Sequence, residues 1–568
     1  MDQDSISSLD SERQSVVDGY KVNERGYETY EQSRSPSPAM HRTRTGVSLA
    51  SSMTRGVRRI VDQVRDDNMQ TASEDLQRPR TYEIADQLGL EEAITIATNK
   101  SEHTTTVEDD SQYPQKDTGY AWVVCAMMFV VFFSTWGTNG SYGVFLNYWL
   151  QNETFPNTGA TDFALIGSCV LGLAQIFAPL SQTASAIVGL RPTMALGLIL
   201  QTLGYLLASF ATKKWELYLT QGVLVGFGFS FLFNPSIVIL PEWFDKRRGL
   251  SFGIIASSSG VGGVIFSLSC QAMINKTGTP AWAQRALAII TFFLNLLATL
   301  FIKERIPAKR LSTWHDVKLR IRILFNKNVL AIPQLYTIAL WYSFVVSCYV
   351  VALYSLSAYG SSIGLTSDQG SHVTAIFNGC QAIGRVFIGL VADYGGRVNL
   401  ACILSLTMLI LVLGMWVNAT TTASVFAYSV LSGLTFGASS VLNQPILADT
   451  IPRELFPAAW SFQSVVLGCF TLFCEVVALE LRDMSLSKPF IKAQIFCGCF
   501  AAAGVLCVFS IREWKIRKML TNRLKITEEA LEIEKSDQVL IDRKSSYLSL
   551  LRKDPVGPLV RLVYPVKV

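Results

Sequence analysis

The chain reads as an all-α polytopic membrane protein with twelve transmembrane helices in two six-helix halves. Three observations lead there. Apolar runs long enough to cross about 30 Å of hydrocarbon recur from near Ala121 to near Ile511. Only 16% of the 568 residues are charged and 50% are hydrophobic, whereas an ordinary soluble domain carries about 25% charge. The charges crowd into the two ends and a few turns, and one long basic segment divides the runs six from six.

Taken in order, residues 1–116 are polar and rich in Ser, Thr, Asp, Glu and Arg. Such a composition buries too little apolar surface to offset chain entropy, so the segment is expected to be a disordered cytosolic tail. Arg34-Ser35-Pro36-Ser37-Pro38 and the stretch from His41 to Arg59 are candidate kinase targets within it, or simply solvated spacer. No signal peptide precedes the first apolar run, so the first helix directs its own insertion. The first half occupies 117–302: helix one from Asp117 to Leu146, then helices near 163–188, 193–212, 216–241, 249–270 and 282–302. A connector, 303–332, carries Lys303, Arg305, Lys309, Arg310, Lys318, Arg320, Arg322 and Lys327 against Glu304 and Asp316. Its stretch from Trp314 to Phe325 is amphipathic enough to lie on a membrane surface. The second half occupies 333–511, with helices near 334–357, 372–392, 399–417, 422–447, 458–481 and 491–511. Residues 512–568 read as a second cytosolic tail, with a short helix at Ile526 to Ile533 and otherwise disordered apart from a short apolar end at Val556 to Val568.

Orientation follows from the positive-inside rule. With both tails in the cytosol, the inner turns hold Arg191, Lys246, Arg247, Arg248, the connector, Arg397 and Arg453, while the outer loops hold few cations. The sequons at Asn152, Asn275 and Asn418 all fall in loops this topology places outside, so they are candidate glycosylation sites. The cell membrane is the expected location, with a vacuolar or other internal membrane as the alternative.

The stretch from Pro241 to Gly263 organises the rest. Asp245-Lys246-Arg247-Arg248 is too charged for hydrocarbon, so it forms a short turn at a membrane face. Gly253, Gly260, Gly262 and Gly263 behind it let another helix approach closely. The turn is either a positive-inside anchor or a latch. The stretch resembles the fifth-helix signature YFxKRRxLAxGxAxAGxxxG of the monocarboxylate transporter family, within the major facilitator superfamily. Phe244, Lys246, Arg247, Arg248, Leu250, Gly253 and Gly262 match it; Trp243, Ser251, Ile255, Ser257 and Ser258 depart. Asp117, Gly119 and Trp122 similarly match the family's first-helix signature of an acidic residue, glycines and aromatics, where Thr118 and Ala121 depart. The resemblance covers about residues 117–511 and implies the major facilitator fold, with alternating access between related halves. It also makes Asp245, Lys246, Arg247 and Arg248 gating candidates. Asp393 and Arg397 join them, because Asp393-Tyr394-Gly395-Gly396-Arg397 is similar to the superfamily's gating motif. The equivalent turn of the first half, Gly189-Leu190-Arg191-Pro192, lacks the acid.

Arg385 and Glu475 are the clearest ionisable residues within spans, and intramembrane charges point to a functional site lining water. Arg385 resembles the family's eighth-helix arginine that binds the substrate carboxylate, a task suited to a guanidinium fork. The alternative is a structural arginine bonded to helix carbonyls. The family's lactate carriers pair that arginine with an aspartate one turn earlier, where this chain has Gln381, and place a lysine in helix one, where it has none. The proton-and-lactate apparatus is therefore not carried over. Glu475 is a substitute candidate for a proton site, although its depth argues against a direct pair with Arg385. Asn378, Asn139, Tyr142, Asn234, Asn443 and Gln444 are further candidates for a central cavity, and Asn234-Pro235 is expected to interrupt helix four. Aromatic residues of helix seven, Trp341, Tyr342, Tyr349 and Tyr354, either stack on a flat substrate or only pack.

No basic stripe suited to nucleic acid, no hydrolase triad, no phosphate loop and no metal-ligand cluster appear, so no cofactor, metal or enzyme activity is expected. The eleven cysteines lie in apolar segments and imply no disulfide framework. The partners expected are the lipid bilayer, a small organic solute and, as a candidate coupling ion, the proton. The function that follows is secondary active transport, as symporter or exporter, of a carboxylate-bearing or flat amphipathic metabolite: a monocarboxylate, vitamin or secondary metabolite of the kind the family's fungal branch carries. The alternative is a nutrient sensor on a transporter scaffold, signalling through its long tails.

Overall fold

Helices form where hydropathy places spans, and their ends are set by local chemistry. A computed structural model describes residues 113–564 apart from 153, 156–157, 307–331, 453–454, 484–485, 487, 534–537 and 553–555. Nearly all of the expected N-terminal tail, most of the basic connector and Arg453 lie outside the described residues. Among the described residues, eleven helices are long and apolar enough to cross a membrane, and a twelfth span is a bent pair. In chain order they are α1 (Tyr120–Leu146), α2 (Thr161–Ile176 with Ala178–Val188), α3 (Leu190–Ala208), α4 (Lys214–Trp243), α5 (Arg248–Thr277) and α6 (Ala281–Phe301). The second set is α7 (Pro333–Ser362), α8 (Ser367–Gly395), α9 (Arg397–Trp416), α10 (Thr422–Thr450), α11 (Phe456–Glu480) and α12 (Ile491–Ile533).

Capping residues explain several boundaries. Thr366 accepts the Gln369 N–H and opens α8, and Thr421 does the same for α10 through Ser424. Pro333 starts α7 where its missing N–H costs nothing. The 47° bend in α2 falls between Ile176 and Ala178. Pro179 explains it, since it removes the N–H that would bond the Gln175 carbonyl. α1 holds a π-helical turn, Phe133–Gly137, just before its helix breaks at Gly140 and Ser141.

Two seams join the halves, and both use glycine. A Cβ on Gly253 would lie 2.6 Å from the Arg385 carbonyl oxygen, and one on Gly260 would lie 2.7 Å from that of Asn378, so α5 meets α8 backbone to backbone. On the other side of α5, Gly262 rests on Gly137 of α1. The α2–α11 seam repeats the device with Gly172 and Gly468. The hydrophobic core is unequal. One large cluster runs through the second half and continues into α1, α3, α4, α5 and α6 at the end that carries the Arg248 turn, here called the basic end. A separate aromatic cluster, with Phe145, Trp149, Phe163 and Phe229, fills the first half toward the other end. The two halves are thus packed as one body at the basic end.

Four expectations are corrected. α4 is continuous through Asn234 and Pro235, because an interior proline is tolerated in a membrane helix supported by its neighbours, and α3 packs directly on this stretch at Gly197. α5 runs on to Thr277, which puts Asn275 in its last turn rather than in a loop. The expected end near residue 511 is also too early: α12 is a single helix of 43 residues. Beyond it the chain is built rather than unstructured, with α13 (Gln538–Leu550) and α14 (Val556–Val563). Arg561 ties α14 to Glu513 at 2.6 Å and donates to the Leu550 carbonyl at 2.7 Å. Arg512 donates to the carbonyls of Arg561, Leu562 and Tyr564 and to Asn399 Oδ1 at the start of α9. Two buried guanidiniums, each satisfied by backbone carbonyls, are enough to hold a segment whose mixed composition does not announce a fold.

Candidate functional site

A central cavity of about 130 Å³ lies between the halves, room for on the order of ten waters. Its apolar wall is aromatic: Phe132, Trp136, Phe233, Tyr342, Tyr349, Tyr354 and Phe436. Its polar groups are Asn139, Gln175, Ser259, Asn378, Gln381, Arg385, Ser439, Ser440, Gln444 and Thr471. Arg385 stands roughly 15 Å from the α8 end at Gly395, near the middle of the span, at 1.5 Å per residue.

Arg385 is 5% exposed. Its Nη1 donates to the Ala256 carbonyl at 2.7 Å and to Ser259 Oγ, so the side chain reaches from α8 across to α5. Its stem passes Gly437, where a Cβ would sit 2.6 Å from Cγ, so α10 can lie against the arginine only without a side chain. Its Nε has no hydrogen-bond partner among the described residues. Gln381 accepts the Tyr349 hydroxyl at 3.4 Å through Oε1, and its Nε2 has no such partner. Asn139 Nδ2 donates to the Tyr354 hydroxyl at 3.1 Å, which joins α1 to α7.

Arg385, Gln381, Asn378 and Asn139 thus line the cavity, as do Gln444 and the aromatic candidates Tyr342, Tyr349 and Tyr354, while the other sequence candidates stand elsewhere. The Tyr142 hydroxyl donates to the Phe163 carbonyl at 2.6 Å and borders a smaller cavity inside the first half. Asn234 is fully buried: Nδ2 donates to the Ala174 carbonyl at 2.9 Å, Oδ1 accepts Trp460 Nε1 at 3.1 Å, and its own carbonyl accepts Gln182 Nε2 at 2.6 Å. It is a tie from α4 to α11. Asn443 is fully buried outside the wall, with neither amide atom hydrogen-bonded. Glu475 also lies outside the wall, buried, with Oε2 unbonded. Trp341 packs in the second half and donates to Ser405 Oγ at 3.1 Å. Gln175 was not anticipated from sequence. A glutamine next to a helix-bending proline in an otherwise apolar span was the available signal.

At the basic end the two sequence signatures meet. The Asp117 carboxylate accepts the backbone N–H groups of Asp245, Lys246 and Arg247 at 3.0–3.3 Å, and thereby caps the α4–α5 turn. Asp117 itself adopts φ 60°, a left-handed conformation that Asp tolerates. Trp122 packs edge-on against Phe244 at 5.2 Å. From the other half, Asp393 accepts the N–H groups of Gly249 and Leu250 at 2.9 Å each, where the α5 dipole favours an anion. Asp449, at the end of α10, bridges Arg248 at 2.9 Å and Arg397 at 2.6 Å. Arg397 also meets Asp393 at 3.2 Å and donates to the Asp245 carbonyl at 3.4 Å. Asp245 reaches Arg248 at 3.6 Å. Of the three adjacent cations only Arg248 is buried in this network; Lys246 and Arg247 expose their side chains and contribute backbone N–H groups. Arg191 caps the α6 end instead, donating to the Leu300 carbonyl at 2.9 Å. The arrangement can hold the basic end shut by charge while leaving a cavity in mid-span.

Comparison with known proteins agrees with this architecture. The Major Facilitator Superfamily profile matches residues 124–473. The uncharacterized transporter ESBP6 of Saccharomyces cerevisiae is 36% identical over 80% of this chain and 69% of its own length. The probable transporter MCH2 of the same yeast is 31% identical over 76% of this chain and 90% of its own. Among solved structures, the proton:xylose symporter XylE superposes with a TM-score of 0.55 at 13% identity, covering 70% of this chain and 95% of the symporter, a likeness of fold. With eleven or, counting the bent pair, twelve apolar spans among the described residues, this chain belongs to the Major Facilitator Superfamily as a multi-pass membrane transporter.

Proposed function

We propose that the protein moves a small carboxylate-bearing organic solute by alternating access, on the pattern of the fungal branch of the monocarboxylate transporters. The observation that carries this reading is Arg385, a buried guanidinium on the cavity wall with Nε unbonded and no acidic residue among its hydrogen-bond partners. A cation held by neutral oxygens alone favours an anionic ligand. Gln381 adds a second donor one turn away, and the aromatic wall suits a flat or apolar body. With Asp393 capping α5 and Asp449 bridging two arginines, the network at the basic end acts as the cytosolic gate. Both termini then face the cytosol, and Asn152, Asn275 and Asn418 face outward as glycosylation sites at the cell membrane. Glu475, buried and with no ion pair among the described residues, serves as the proton site if transport is coupled to protons.

The test is uptake into proteoliposomes of a panel of labelled aliphatic and aromatic monocarboxylates. Saturable uptake of at least one acid is expected. Arg385→Gln should weaken its binding by roughly 2–5 kcal/mol while the variant melts like the parent, because the substrate charge is left buried and unpaired. Arg385→Lys keeps the charge without the fork and should fall between the two. A well-folded Arg385→Gln protein that binds and carries the acid unchanged refutes the assignment.

A further inference from the structure

The same cavity holds two further buried amides, one from each half. Gln175 of α2 is 4% exposed and Gln444 of α10 is 2% exposed. Both line the cavity, and the amide oxygen of each has no hydrogen-bond partner among the described residues. They come from opposite halves, so a group that bonds both is held by both. Gln444 lies seven residues beyond Gly437, the point at which α10 touches Arg385. Seven residues are two turns, so the two positions share a face of α10 and stand about 10 Å apart along it. Between them Ser440 is already satisfied, donating to the Gly437 carbonyl at 2.8 Å. Gln175 stands at the α2 bend, one turn before Pro179.

A buried amide left without a partner costs stability that an apolar side chain of similar size would not. Two such groups lining one binding cavity are best accounted for by a ligand that satisfies them. A carboxamide carries a donor and an acceptor on one end and can turn either toward the ligand. It is therefore matched by a neutral group with the same pair, and poorly matched by a second carboxylate. We propose that Gln175 and Gln444 bind an amide, lactam or hydroxyl group of the substrate, which is a two-ended molecule: carboxylate at Arg385 and Gln381, flat apolar body against the aromatic wall, neutral donor–acceptor group at the glutamine pair. This rests on the reading of the cavity as the substrate site.

The experiment uses the full-length protein in detergent and a series of para-substituted arenes, of one ring and of two, with a carboxylate at one end and a carboxamide at the other. Each has two controls, the methyl ester of the acid and the acid lacking the carboxamide. Affinity is read from ligand-induced shifts in melting. In the parent protein, removing the carboxamide should weaken binding about tenfold or more. In Gln175→Leu with Gln444→Leu the same removal should change nothing. The unliganded double variant should melt at the parent's temperature or above it. Esters should bind worse than acids in both proteins. If the acids bind equally with and without the carboxamide in the parent, the role of the glutamine pair is refuted while the Arg385 reading stands. If esters bind as well as acids, it is the carboxylate reading that fails. If the unliganded double variant melts well below the parent, the glutamines are structural and the proposal falls.

Discussion

Asp449 is the single acid on which the charge network at the basic end turns. Asp449→Asn keeps the shape of the side chain and removes the charge shared by Arg248 and Arg397. The ion pair that Asp449 makes across the halves is with Arg248 at 2.9 Å, with side-chain exposures of 7% for Arg248 and 18% for Asp449. At an effective dielectric of 20 that pair is worth about 6 kcal/mol before desolvation. Removing one partner of a buried pair costs about 3–5 kcal/mol, and the residual exposure of Asp449 brings the expected loss to about 2–3 kcal/mol. The loss falls mainly on the state in which the basic end is closed. Arg248 and Arg397 are then held near one another without the acid between them, and they separate when the halves part. The ratio of closed to open should move toward open by roughly 30- to 150-fold. Spin labels at Lys246 and Tyr394, both exposed and on opposite sides of the seam, report the distance by pulsed electron resonance. A longer distance population should appear in the variant. If the two distance distributions coincide, the network is not a gate.

Two further outcomes follow from the same geometry. Asp117→Ala removes the acceptor of three backbone N–H groups in the α4–α5 turn and should cost about 1–2 kcal/mol; lower melting and faster hydrogen exchange at Asp245 to Arg247 would register it, and unchanged exchange would contradict it. Gly260→Ala sets a Cβ 2.7 Å from the Asn378 carbonyl, so α5 and α8 must separate at a cost of about 1–3 kcal/mol; Gly143→Ala, with open space around it, should melt like the parent, and equal melting of the two variants would mean the seam is not tight.

Much of this architecture is legible in the chain because burial in lipid leaves few options. Apolar runs of the right length must be helices, and charges must be at their ends. The two signature stretches were equally visible, but not the way they join. Asp117 reaches the α4–α5 turn through backbone N–H groups, which carry no residue-type signal. Asp449 was missed because one acid at a helix end looks like any other. The ordered end of the chain was hidden for a different reason. Arg512 and Arg561 bind carbonyls far along the sequence, and composition cannot report a contact of that kind.

Asn234 and Asn443 mark the limit most clearly. Asn234 stands one residue and Asn443 two residues before a proline in the fourth helix of its half, and by sequence they are equal candidates for the cavity. In the structure Asn234 has every polar group bonded and Asn443 has neither amide atom bonded, yet neither lines the cavity. The difference lies in the partner. Asn234 is completed by Trp460, which comes from the other half. Related halves place equivalent residues in equivalent helices, but a contact between halves depends on how the two are tilted. In any one state the halves meet in one arrangement, and equivalent residues of the two need not find equivalent partners. Internal repetition can therefore show which residues are comparable, while the partners that decide their roles belong to the conformational state.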